Sequence, residues 1–184
     1  ITSNAGALLT TDNNLPYPGE DFEAIQIHVL ASLNYMGLFE YSEARVEARQ
    51  AMQRLTVLRK HYEKEEKTYR YSDDAFAWWL IGRLFETGQA ADSLQEAWRA
   101  YQHSIQLYEP IFSKEFETPL PKQVLIDACR VTEKLGQEYA DINQSIRKKI
   151  GVSYLNTSCI SQEGAYSVVF IHMLGEIPRK RDEY

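Results

Sequence analysis

The chain has 184 residues, 44% hydrophobic and 25% charged, which is the balance of one globular domain able to form a core without a metal or disulfide staple. Its 26 Asp and Glu outnumber 20 Lys and Arg for a formal charge of −6, which argues against a general nucleic-acid binder, since that needs a concentrated basic face. No apolar run reaches the roughly 18 to 20 residues that a membrane span requires.

Residues 1–20 are polar and punctuated by Pro16, Pro18 and Gly19, and read as an extended leading segment. From Asp21 the period becomes helical, with Phe22, Ile25, Val29, Leu33 and Met36 at spacings of three and four and Gly37 as the stop. A second helix is predicted from Ser42 to about Thr68, with Ala44, Ala48, Ala51, Leu55 and Leu58 on one side. Its charge run from Glu63 to Lys67 reads as an exposed helix end. Ser72-Asp73-Asp74 resembles a helix start, a capping hydroxyl followed by acids that suit the N-terminal dipole, and the helix it opens stops near Gly88. A fourth helix runs from Asp92 or Ser93 to Pro110, a fifth from Lys122 to Leu135, and a sixth from Gly136 to Gly151. Residues 164–174, GAYSVVFIHML, are rich in β-formers and read as a strand. The expected architecture is all-α over residues 21–151, about three antiparallel helix pairs, with a β segment and tail over 152–184.

Charge is unevenly placed. No Lys or Arg precedes Arg45, and the basic runs at 147–149 and 179–181 read as a helix C-terminus and a solvated tail. Cys129 and Cys159 belong to no C-x-x-C pair and make no zinc site; one disulfide is open to them in an oxidising compartment, and a small buried hydrophobe is the simpler reading of Cys129. The chain opens on Ile1, and the β-rich run near its end needs a partner, so the expectation is a piece of a larger polypeptide.

Paired helices call for a repeat search. Ser32 and Gly82 correspond as small residues that let two helices approach, and Tyr35 and Phe85 follow each by three. Ala44, Ala48 and Ala51 correspond to Ala97, Tyr101 and Ser104. This is tetratricopeptide logic, in which neighbouring pairs share a core and stack as a solenoid. The step from Ser32 to Gly82 is 50 residues, not the usual 34, so the repeats are irregular. The third pair is degenerate, because Asp127 falls where an apolar residue is expected.

The stretches LLTTDNNLPYPGEDFEAIQIHVLASLNYM, ARVEARQAMQRL and DAFAWWLIGRLFETG, with the closing GEIPRK, resemble a family of bacterial tetratricopeptide-like envelope lipoproteins of uncharacterised function. The resemblance spans nearly the whole chain. It implies export, a lipidated Cys upstream of Ile1 as the sole link to a membrane, and a place on the periplasmic face of the outer membrane. It carries over no catalytic residue.

No HExxH, Walker loop, GxSxG or GxGxxG motif is present. The histidines His28, His61, His103 and His172 lack metal spacing, and Asp73 and Asp74, about 100° apart on a helix, cannot flank one bond. No metal or cofactor is expected. The positive expectation is a protein-binding groove on the first helix of each pair. It would be lined by Gln26, Val29, Leu33 and Met36, then by Phe76, Trp79, Arg83 and Glu86, and finally by Leu125, Thr132 and Glu133. Trp79 and Arg83, one turn apart, have the composition of a binding hot spot; the competing reading is that Trp79 only packs against the lengthened second helix or the leading segment, which could itself fill the groove. Function is therefore read as a non-enzymatic scaffold that docks a protein segment or a sister subunit, homo-oligomers included, without nucleic acid. Two alternatives are the helical part of an enzyme whose catalytic domain lies elsewhere, and a module that binds peptidoglycan or polysaccharide.

Overall fold

The structure, a computed structural model, describes residues 21–64, 73–88, 91–151 and 158–160. Among these residues there are six main helices and no strand. The leading segment, the predicted strand at 164–174 and the far end of the second helix lie outside the described residues.

Helix α1, Asp21–Gly37, buries Ile25, Val29 and Ser32, the i, i+4 and i+7 positions of its apolar stripe. It ends at Gly37 as expected, but the left-handed residue of the turn is Phe39 (φ 62°), an unusual choice for a bulky side chain. Helix α2, Tyr41–Lys64, returns with Ala44, Ala48, Ala51, Leu55 and Leu58 buried, all five of the predicted set. Ser32 Oγ donates to the Ala44 carbonyl at 3.4 Å near the turn, and Tyr62 OH donates to Asp21 Oδ2 at 2.7 Å at the far end, so the two helices run antiparallel.

Helix α3, Ala75–Glu86, is the centre of the molecule, with ten of its twelve residues buried. It packs against α2, α4 and α5. Its cap is Asp74, which accepts from the Ala77 amide at 2.9 Å; that carboxyl is pushed up from its usual range, chiefly by burial. Helix α4, Ala91–Leu107, crosses back over α3. A Cβ at Gly82 would lie 2.5 Å from Tyr101 Cε1, and Ser104 Oγ reaches the Ala75 carbonyl at 2.7 Å. The first is a contact of the small-against-aromatic kind that the repeat predicts.

Pro110 does not end this helix as the sequence suggests. Lacking an N–H, it is taken up in a wider π turn, Tyr108–Phe112, that carries the chain through one more helical turn, Ser113–Glu115. Helix α5, Lys122–Leu135, closes on Gly136 at φ 86°, a backbone state that favours glycine. After a 3₁₀ turn, Gln137–Tyr139, helix α6, Ala140–Ile150, packs back on α5. Contacts thus join α1 to α2, α3 to α4 and α5 to α6 within pairs, and α2 to α3 and α4 to α5 between them.

Candidate functional site

Five of the eleven predicted groove residues are core. Val29 is 1% exposed, Trp79 7%, Glu86 7%, Leu125 6% and Thr132 0%. As open docking residues these five are corrected: α2 packs on α1 and covers Val29, while the packing of α5 with α3, α4 and α6 encloses Trp79, Glu86, Leu125 and Thr132. The other six are partly exposed, and several have structural partners. Gln26 donates to Asp74 Oδ2 at 3.0 Å, Leu33 and Met36 pack against the core, and Phe76 stacks at a tilt on Trp79, 5.6 Å between ring centres.

Asp127, the residue that spoils the third repeat, is the hub of what holds the second and third pairs together. It is fully buried, and its carboxylate accepts from four donors: Trp79 Nε1 at 2.8 Å, Arg83 Nη1 at 3.3 Å, Gln123 Nε2 at 2.9 Å and Arg130 Nη2 at 2.7 Å. Arg130 also grips Glu86 with two bonds of 2.6 Å, while Lys134 Nζ and Tyr101 OH each reach Glu86 at 3.1 Å. Burial pushes the Glu86 carboxyl up, yet Arg130 and Lys134 outweigh it and hold that group below the usual carboxylate range. Burial pushes the Tyr101 phenol well above its usual value. Two carboxylates and three cations from α3 and α5 are thus paired inside the protein, which is how buried charge becomes tolerable. Trp79 is packed rather than open, and the partner its indole finds is Asp127 of α5, which the sequence reading did not anticipate.

Glu133 has a similar duty at the last helices. Its carboxylate accepts from the Cys159 amide at 2.8 Å, Ser158 Oγ at 2.7 Å and Arg147 Nη2 at 2.7 Å. It so presents Cys159 to Cys129, and the two are joined in a disulfide. Cys129 is buried, as the sequence suggests, but it is not a free thiol. The same three residues are close enough to suggest a metal site, which the disulfide precludes by occupying both sulfurs.

The open concavities lie on the other side, along the second helix of each pair. A cavity of 540 Å³ separates α2 from α4, within the range of ligand pockets. Met52, Val57, Ala100 and Trp78 give it apolar walls, and Arg59 and His103 give it polar ones. A smaller cavity of 280 Å³ occupies the equivalent place between α4 and α6, lined by Trp98, Ile105, Leu125 and Ile146. Behind the larger one, Asp73 organises the wall: it accepts from Trp78 Nε1 at 2.5 Å and stands 2.8 Å from His103 Nε2, while the Trp78 and His103 rings lie 4.5 Å apart. Both aspartates precede helix α3 and bond to it, Asp74 through the Ala77 amide and Asp73 through the Trp78 indole, but their other partners differ, Gln26 of α1 for Asp74 and His103 of α4 for Asp73. Sequence reasoning missed this cleft, because its lining combines α2 and α4 positions far apart in the chain, from Met52 to Arg59 and from Glu96 to His103. No protein family, characterised protein or solved structure matches this chain.

Proposed function

We propose that the chain is a non-enzymatic scaffold whose helix pairs stack as a tetratricopeptide-like solenoid and dock a protein segment in the cleft between α2 and α4. The observation that carries this reading is the cleft itself. It is wide enough for side chains, mostly apolar, and backed by Asp73, which ties Trp78 of α3 to His103 of α4. Rigid apolar concavities of this kind favour segment docking, because little ordering is needed on the scaffold side. The repeat-equivalent cavity between α4 and α6 extends the same surface.

Protein is favoured over sugar as the ligand. Stacking on a sugar ring needs a broadly open aromatic face, whereas the indoles of the two cavities, Trp78 and Trp98, are 8% and 9% exposed, and the open rings of Phe39 and Tyr41 line neither cavity. The Cys129–Cys159 disulfide supports an oxidising compartment, in keeping with the resemblance to envelope lipoproteins and a periplasmic location. Among the described residues, no helix is long and apolar enough to cross a membrane. The β segment of the tail belongs to this proposal and would follow the helical part.

A photo-reactive residue at Val57, which is 68% exposed at the cleft, tests the reading in envelope preparations, with Val46, 44% exposed on the same helix, as control. The expected result is one protein cross-linked from Val57 and not from Val46. Equal labelling from both positions, labelling of glycan only, or none from Val57 refutes docking in this cleft.

A further inference from the structure

Among the described residues, one buried side-chain polar atom has no hydrogen-bond partner: Nε of Arg59, in the wall of the α2–α4 cleft. Such atoms are rare in native proteins and ask for a reason. Glu63 Oε1 stands 3.6 Å from it, outside hydrogen-bonding reach. The other end of the guanidinium fares no better. Arg59 Nη1 lies 3.3 Å from His103 Nε2, but that nitrogen also lies 2.8 Å from Asp73 Oδ2. A ring nitrogen either donates or accepts. The shorter contact, to a carboxylate that can only accept, claims the hydrogen on Nε2, which leaves Arg59 Nη1 facing an N–H. Arg59 thus holds its charge at the cleft with two donors lacking a good acceptor. Beside it is an apolar wall of Trp78, Met52 and Val57. Trp78 and Arg59 both lie against His103, so anion and apolar subsites are adjacent.

We propose that this cleft recognises a peptide segment in which a carboxylate lies next to a large apolar side chain, the carboxylate on Arg59 and the side chain against Trp78. The inference rests on the docking reading above and names its ligand chemistry. The ligand supplies, at the Nη end of Arg59, an acceptor that the protein withholds: Asp73 is committed to Trp78 and His103, Glu96 to Arg99 at 2.7 Å, and Glu63 stands off on the Nε side as an ion pair at 3.6 Å. Arg59 is 39% exposed along its side chain, open enough to be reached and fixed enough to hold a direction.

The test uses the whole chain labelled with ¹⁵N. The indole N–H of Trp78 reports on the cleft, and those of Trp79, buried on Asp127, and Trp98 report on the fold. The probes are N-acetyl-Leu-Phe with a free carboxylate, its carboxamide, and octanoate, titrated into the millimolar range expected of ligands this small. The expected result is saturable movement of the Trp78 signal with the free dipeptide, about tenfold weaker with the carboxamide and with Arg59→Gln, in line with the loss of one charge-assisted bond. Unmoved Trp79 and Trp98 signals certify that Arg59→Gln is folded. Equal binding of the carboxamide overturns the carboxylate claim and leaves apolar docking standing. Binding of octanoate without the dipeptide overturns the peptide source. No movement with any probe overturns the site, while a Val57 cross-link to a partner would still support docking there by other chemistry.

Discussion

Asp127→Ala removes the hub of the buried network and so measures how much the second and third helix pairs depend on it. Four donors lose their acceptor at once: the Trp79 indole, the Gln123 amide and the guanidinium groups of Arg83 and Arg130. Breaking a buried ion pair costs about 3–5 kcal/mol, because the surviving charge stays desolvated. Here Arg130 keeps its two-bond grip on Glu86 and Arg83 is 24% exposed, so the lower half of that range applies, about 3–4 kcal/mol. For a chain of this length that corresponds to a fall in Tm of about 6–16 °C. Urea unfolding followed by tryptophan fluorescence reads the loss directly, as a lower midpoint at unchanged slope. A double-mutant cycle with Trp79→Phe adds a second reading. Removing the indole N–H and its acceptor together leaves one fewer orphan than the separate losses imply, a coupling of about 1 kcal/mol. A loss under about 1 kcal/mol for Asp127→Ala, or no coupling to Trp79, refutes the claim that this network fastens the two pairs.

Gly82→Ala should destabilise by about 1–3 kcal/mol in the same assay, since the new methyl meets the ring of Tyr101, a fully buried residue whose OH is tied to Glu86; a neutral result would mean that α3 and α4 can part. Glu86→Gln probes the pH dependence. The folded carboxyl lies below its unfolded value of 4.5, so its contribution is complete above that pH and disappears as pH falls through the folded value. The stability gap between wild type and Glu86→Gln should therefore be constant near neutrality and shrink below pH 4.5. A gap that persists or widens in acid would show that Arg130 and Lys134 do not hold the charged form.

Local pattern made the helices legible, and distance hid the site. The alanines of α2 and the Gly82–Tyr101 contact follow from side-chain size at fixed spacing, which one sequence displays. Asp127 was visible only as a flaw, because its meaning depends on Trp79 and Arg83, more than 40 residues away, converging on it. A signal for the burial of Trp79 was nevertheless present. AFAWWLIGRLF has no polar stripe, and a helix that is apolar all round belongs inside a protein, not beside a groove. Pro110 reads as a stop because single residues do not announce a π turn. The cleft left no mark at all. Arg59 and His103 are ordinary helical residues until α2 and α4 lie side by side.

A stack of helix pairs is most exposed to fraying at its ends, where an outer helix has a neighbour on one side only. Among the described residues α6 is such a helix, and the Cys129–Cys159 bond stitches the chain beyond it back to α5. The loop so closed spans 30 residues and contains the whole of α6. A link of that span removes about 3.6 kcal/mol of disorder from the opened state in the chain-entropy account. Peeling α6 away would therefore leave it tethered near its seat, where Asn143 and Arg147 can rebind α5 without a search. Hydrogen exchange along α6 should then follow opening of the α5–α6 unit as a whole, and the oxidation state of its surroundings becomes a setting on where this protein begins to unzip.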